Sequence, residues 1–365
     1  MFTSVAEASA VLRAHGEAGT AVRPVGSDSR AGWGGAGEGT PLHTTGLNRI
    51  VEHNPGDFTA VLEAGVPLAE AQKQFASAGQ WLALDPGSTG TIGGLVATAD
   101  SGPARHRYGG VRDLVIGVTL VLSDGTVARS GGRVIKNVAG YDLGKLFTGS
   151  YGTLGLIAEV AVRLHPLPSG TATATASFTD PSALAAAAAG LSRRPLEALH
   201  LDAAWRAGSG RLLVRFGGVT ADAQASAVAS LLSAAAGASE VDVVTDDEPI
   251  WEAQRAGQRS DDGVVAKVAG RPTDLAPMIR AAEDAGGGLV ARAALGLAWI
   301  ALPVPDVGAL REALAPRSVT VLDGGDRVAD PWPAVEPGAA AVMQRVKARF
   351  DPARIFRPGA FVGGI

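Results

Sequence analysis

Between Asp85 and Pro168 the chain reads DPGSTGTIGGLVATADSGPARHRYGGVRDLVIG and, further on, VIKNVAGYDLGKLFTGSYGTLGLIAEVAVRLHPLP, and this stretch restricts the fold more than any other. Gly87, Gly90, Gly93 and Gly94 fall within eight residues, immediately before the apolar run Leu95 to Ala99. Glycine adopts backbone angles closed to other residues, so such a loop can turn successive N–H groups inward. Inward amides without Cβ atoms make a concave anion site that a phosphate can approach closely. Two familiar versions of that site are excluded. A dinucleotide fingerprint needs three glycines between a strand and a helix and an acidic residue ~20 positions on, and Thr89-Gly90-Thr91-Ile92-Gly93-Gly94 has the wrong spacing. A P-loop would require a following Gly-Lys-Ser/Thr, which is missing.

A length of 365 residues points to two domains. The chain has no cysteine, which removes disulfides, thiolate zinc sites, cysteine nucleophiles and iron–sulfur ligation. Any cluster must lie on a partner. The net charge of -4, with no basic run, gives nothing to attract a nucleic-acid backbone. No stretch reaches the ~18 apolar residues of a membrane helix, and the N-terminus carries charges in place of a signal-peptide core. The expected location is cytoplasmic. With no GxSxG elbow and no HExxH, a hydrolase is excluded as well.

In order, Ser4 to Ala18 has helical apolar spacing with Ser4 as N-cap and Gly19 as stop. Thr20 to Val25 reads as a strand ending in the polar turn Gly26 to Arg30. Leu114–Leu122 and Val127–Ser130 flank Ser123-Asp124-Gly125-Thr126, a hairpin signal. Pro166 to Gly170 marks a boundary. Beyond it two copies of one unit follow, each strand, helix, strand, strand, helix, strand: Thr171 to Thr245 and Val264 to Leu322. That is the ferredoxin-like βαββαβ order, and two copies would form one largely antiparallel sheet with helices on one face. Pro331 to Pro337 reads as a connector, and Ala339 to Phe350 as a last helix.

Gly93-Gly94, Ala97-Thr98-Ala99, Ser101-Gly102-Pro103, Tyr108-Gly109, Val111-Arg112-Asp113, Gly117, Lys136 to Leu143, Gly149-Ser150 and Gly152 to Gly155 form an ordered set. This set resembles the FAD-binding domain of the vanillyl-alcohol oxidase, or PCMH, type, and in particular the FAD-binding E subunit of bacterial glycolate oxidase. The resemblance implies an α+β chain: a PCMH-type FAD-binding domain over 1–168, a ferredoxin-like-repeat α+β cap or substrate domain over 169–330, and a C-terminal helix and tail over 331–365 that return to the FAD domain. It places FAD on Gly26, Ser27, Asp28 and Ser29 of the first turn and on Pro86, Gly87, Thr91, Ile92, Gly93 and Gly94 of the second. Thr98, Ser101, Gly102, Tyr108 and Gly109 extend the cofactor site, with Gly155 and Ile157 at the adenine end. Relatives that attach FAD covalently use a histidine where this chain has Ser27, so the implied FAD is non-covalent. Family members commonly carry Asn before the final Pro-Gly, where this chain has Arg357.

The activity implied is oxidation of a small 2-hydroxy acid to its 2-oxo acid. The implied partners are a larger FAD-binding D-type subunit and an iron–sulfur F-type subunit, which could hold the complex at the inner face of the membrane. A self-sufficient FAD oxidoreductase and a flavin-free scaffold are the competing readings. No catalytic residue emerges from the sequence. The six histidines are scattered, with no two at metal-ligand spacing. His106, between Arg105 and Arg107, could bring positive charge to the flavin ring or simply be solvated. Lys136 and Tyr141 either face the flavin or a partner or belong to a folding turn that Asp142 closes by capping the next helix. Asp246-Asp247-Glu248 and Asp261-Asp262 read as solvated acidic loops.

Overall fold

The computed structural model describes residues 2–35, 37–132, 140–304 and 306–365. The first helix spans Val5–Ala18, where Ser4 Oγ accepts the Glu7 N–H and Gly19 ends the helix at φ 62°. The strand Val22–Val25 follows and pairs in parallel with Thr40–His43. A five-stranded antiparallel sheet comes next, in the order Ile50–Asn54, Thr59–Glu63, Leu156–Arg163, Val115–Val121, Val127–Gly131. Thr59–Glu63 is buried at all five positions. Its side chains reach a core that includes Leu62, Phe75, Leu95, Leu120, Phe147 and Val160. The hairpin at Asp124-Gly125 closes through Leu122 N–H to Thr126 O at 3.0 Å, with Gly125 at φ 80°.

Beyond Pro166 an eight-stranded antiparallel sheet runs Ser239–Val244, Thr171–Phe178, Ser209–Gly217, His200–Arg206, Gly288–Arg292, Leu297–Leu302, Val264–Ala269, Ser318–Asp323. Each half has the ferredoxin-like order, and the halves join where Ala203 lies opposite Ala291. Ala172, Ala174 and Ala176 share a core with Leu184, Val228, Ile279 and Leu310 of the four covering helices. Small side chains on that strand let the helices Pro181–Ser192 and Ala221–Ser233 close on it. The opposite face meets the N-terminal part. Trp33 and Tyr151 pack there with Val265, Val290, Trp299 and Leu322.

In the loop Asp246-Asp247-Glu248 the outer two residues are exposed and the middle one is not solvated. Asp247 is 2% exposed, receives Arg215 Nη2 at 2.7 Å and accepts the hydroxyls of Thr171 and Thr173 at 2.9 and 2.7 Å. A carboxylate at that depth is stable only when paired, and its partner lies 32 positions upstream on a strand. It precedes the helix Glu248–Ala256, which the sequence pattern did not anticipate.

The helix Pro337–Phe350 carries the chain back across the molecule. Buried Lys347 Nζ donates to Thr153 O, Asp351 Oδ2 and Phe356 O at 2.7, 2.7 and 2.8 Å. The tail then runs beside the first strand, with Val22 N–H to Ile355 O at 2.7 Å and Arg357 N–H to Val22 O at 2.9 Å. Among the described residues no helix is long and apolar enough to cross a membrane.

Candidate functional site

The end of strand Val22–Val25, the helix Ile92–Thr98, the turn Tyr151–Gly155 and the tail at Arg357 surround a half-open cleft of about 740 Å³, counted out to open solvent. Two turns far apart in sequence meet at its mouth. A Cβ on Gly26 would run into Thr91 Oγ1, and one on Gly90 into Arg30 Nη1. At Gly26 this close approach calls for glycine. Three non-glycine residues on the same cavity hold positive φ: Asp28 at 59°, Tyr151 at 55° and Arg357 at 41°. Such backbone strain concentrates at binding sites.

Arg30 joins the two turns. It is 8% exposed and donates to Ser29 Oγ, Thr89 O and Ser88 O at 2.8, 3.1 and 3.2 Å, while Nη2 meets Asp100 Oδ2 at 2.6 Å. The cap adds a second latch. Arg259 Nη2 donates to Ser29 O at 3.0 Å, its Nη1 to Ser88 Oγ, and its Nε to Asp323 at 2.9 Å.

Ile92 N–H donates to Val66 O at 2.9 Å and Gly93 N–H to Ala64 O at 2.7 Å, so these two amides are spent inside the fold. Among the described residues, no protein acceptor takes the N–H groups of Gly26, Ser27, Asp28 or Ser29 in the first turn, nor those of Gly87, Ser88, Thr89 or Gly90 in the second.

Gly26, Ser27, Asp28, Ser29, Thr91, Gly93, Gly94, Thr98, Gly155 and Ile157 all line this cavity. Seven other expected positions do not. Gly87 packs against Arg255 O and the Gln258 and Arg259 side chains of the cap, and Gly102 lies under Asp85 O. Pro86 is half-buried next to Asp85, and Ile92 is core. Ser101 O accepts from Gln258 Nε2 at 3.2 Å. Tyr108 is wedged between Trp81 and His165, and Gly109 closes the short helix Arg105–Tyr108 at φ 80°. Sequence reading missed Arg23, Arg30, Tyr151 and Gly152, and gave Arg357 no role. The only signals were a polar turn and a departure before Pro-Gly. Lys136 lies outside the described residues. Tyr141 is 91% exposed, away from the cavity, and Asp142 Oδ1 accepts the Lys145 N–H at 3.1 Å, the capping role.

A second polar cluster lies between the two sheets. Arg292 and Asp202, each fully buried, pair at 2.6 Å, and Gln254 Nε2 donates to the same Asp202 oxygen at 3.0 Å. Asp85 accepts the Ala104 N–H at 3.0 Å and lies 4.0 Å from His200 Nε2. Burial pushes Asp85 up to about 7 and Asp202 up to about 6, against the pull of Arg292. Burial, then Arg215 and Arg292, hold His200 well below the usual range, so it is neutral. His106 is also pushed down, by burial and then Arg107, which works against a cationic role at the flavin. Burial and then Arg105 push Lys267 down to about 8, with its ammonium 5.6 Å from the Trp299 ring centre. Among the described residues no group of three or more His, Cys, Asp and Glu could hold a metal ion.

Carboxyls with raised values favour the folded state below the unfolded value near 3.8 and lose that contribution as pH rises through about 6 and 7. Asp85→Asn removes one such group. Between pH 5 and pH 8 the urea midpoint of the wild type is expected to fall more than that of Asp85→Asn. In unfolding free energy the difference should amount to at most about 3 kcal/mol, at ~1.4 kcal/mol per unit over the two units between pH 5 and about 7. Equal slopes would show that Asp85 does not titrate differently on unfolding.

Comparison with known proteins agrees with this geometry. Residues 1–131 match a family model described as an FAD binding domain. Glycolate oxidase subunit GlcE of Escherichia coli is 39% identical over 146 residues, 39% of this chain and 42% of that protein. D-lactate dehydrogenase [cytochrome] 1, mitochondrial, of Saccharomyces cerevisiae is 34% identical over 157 residues, 43% of this chain and 26% of that protein. Glycolate oxidase subunit GlcD of Bacillus subtilis is 40% identical over 124 residues, 33% and 26% of the two chains. The chain thus spans less than half the length of these curated relatives. A solved alkyldihydroxyacetonephosphate synthase superposes with a TM-score of 0.68 at 16% identity, over 98% of this chain and 76% of that one, which shows the shared fold. Residues 1–131 thus carry the match to an FAD binding domain, with FAD as the cofactor that match indicates, and the chain as a whole shares the fold of that synthase.

Proposed function

We propose that this chain is the FAD-binding subunit of a glycolate oxidase-like complex that oxidises a small 2-hydroxy acid to its 2-oxo acid and passes electrons to an iron–sulfur partner. The observation that carries this reading is the meeting of the turns at Gly26 and Thr91 over one cavity. Relatives named as glycolate oxidase subunits and D-lactate dehydrogenases support the substrate class. Bound FAD would supply the two-electron chemistry. The chain's own residues bind and enclose: the first turn offers free amides, Arg30 and Arg259 fix both turns, and the tail walls the far side. Ser27, and a cavity lining without histidine among the described residues, favour non-covalent attachment.

Three cap cations facing the FAD domain are engaged, which supports a division of labour; Lys267, against Trp299, is not among them. Arg292 is taken by Asp202, Arg215 by Asp247 and Arg259 by Asp323. Substrate turnover then belongs to the larger D-type partner, and this subunit relays electrons or completes the assembly, without a cysteine to hold a cluster of its own. Native co-purification with flavin and iron analysis tests this. Flavin in this chain, and iron only with partners, is the expected result. A folded, colourless protein that takes up no added FAD would sink the proposal, and turnover of glycolate or D-lactate by the isolated chain would sink the division of labour. Gly26→Val, overfilling the contact with Thr91, should lower FAD occupancy at least ~10-fold while the cap stays folded.

A further inference from the structure

Arg357 stands where the returning tail meets the cavity, 8% exposed and with its backbone at φ 41°. Its Nη1 donates to Tyr151 O at 2.9 Å and its Nη2 reaches Gly35 O at 3.5 Å. Its Nε has no partner among the described residues. The carboxylate that acts on it, Asp28, is already paired with Arg23 at 3.3 Å. Burial, and then Arg23, disfavour the charged guanidinium. A buried cation whose carboxylate is paired with another cation is under-compensated, yet here strained backbone holds one on the cavity wall.

A second arginine comes to the same place by strand pairing. Val22 is bridged in parallel to Phe356, so Arg23 and Arg357 follow one another on neighbouring strands, and both line the cavity. Like charges side by side on paired strands repel, and an anion between them removes the conflict. A guanidinium fork matches two phosphate oxygens. We infer that Arg357, together with Arg23, clamps the diphosphate of FAD beside the Gly26–Ser29 turn. This rests on the flavin reading above.

The test uses the full chain stripped of flavin, with FAD, ADP and adenosine as probes, titrated calorimetrically and by flavin fluorescence. Arg357→Met should weaken FAD and ADP by roughly 10- to 100-fold and leave adenosine unchanged. Arg357→Lys, which keeps the charge without the fork, should recover part of the loss and controls for misfolding. Wild-type affinity for FAD in Arg357→Met would overturn the inference. So would an equal loss of adenosine and ADP, because Arg357 would then shape the adenine end instead. If the wild type binds neither FAD nor ADP, the flavin reading itself falls, which is a separate outcome.

Discussion

Replacing Arg30 with methionine is expected to cost the folded protein about 3–5 kcal/mol, the usual loss when one member of a buried ion pair is removed. Asp100, 4% exposed, would be left without its cation, and the carbonyls of Ser88 and Thr89 without their donor. Urea unfolding of the flavin-free chain measures the effect on stability. FAD occupancy measures the effect on the site, because both turns at the mouth depend on this side chain. Asp100→Leu added to Arg30→Met should recover part of the lost stability, since two apolar groups leave no orphaned charge. It should not recover flavin binding. A single variant within about 1 kcal/mol of wild type, below the usual range for such pairs, would mean that the ion pair does not tie the turns.

Lys347→Met should also cost about 3–5 kcal/mol, for a related reason. Three acceptors, Thr153 O, Asp351 Oδ2 and Phe356 O, lose their shared donor in one step. Asp351 would keep only the N–H groups of Ile355 and Phe356. The tail that carries Arg357 should loosen before the rest, so limited proteolysis should cut near 351–357 ahead of global unfolding. Uniform loss of stability without early cleavage would show that the lysine supports the core in general, not the docking of the tail.

Gly93 and Gly94 stand out as part of a glycine-dense loop before an apolar run, whereas Gly26 comes only from the family resemblance, its local sequence reading as an ordinary turn. A Cβ on Gly26 would meet Thr91 and one on Gly93 would meet Ala64. The cap was legible because a βαββαβ pattern repeated twice survives errors at single elements, even where alanine blurs the helical period. What stayed hidden depends on partners far away in the chain. Arg30 looks like part of a polar turn until Asp100, 70 positions on, is beside it. Asp247 looks solvated until Arg215 arrives from a strand. The second turn promised amides at Ile92 and Gly93 that Val66 and Ala64 had already claimed, and a linear reading has no access to that competition.

The tail's return also has a consequence in time. Tyr151 and Arg357 share one wall of the cavity but are separated by 206 positions. At about 5–20 residues per second during synthesis, the flavin domain waits roughly 10–40 s for the residue that completes it. A nascent chain halted within the cap would lack that wall, leaving an open, half-walled groove.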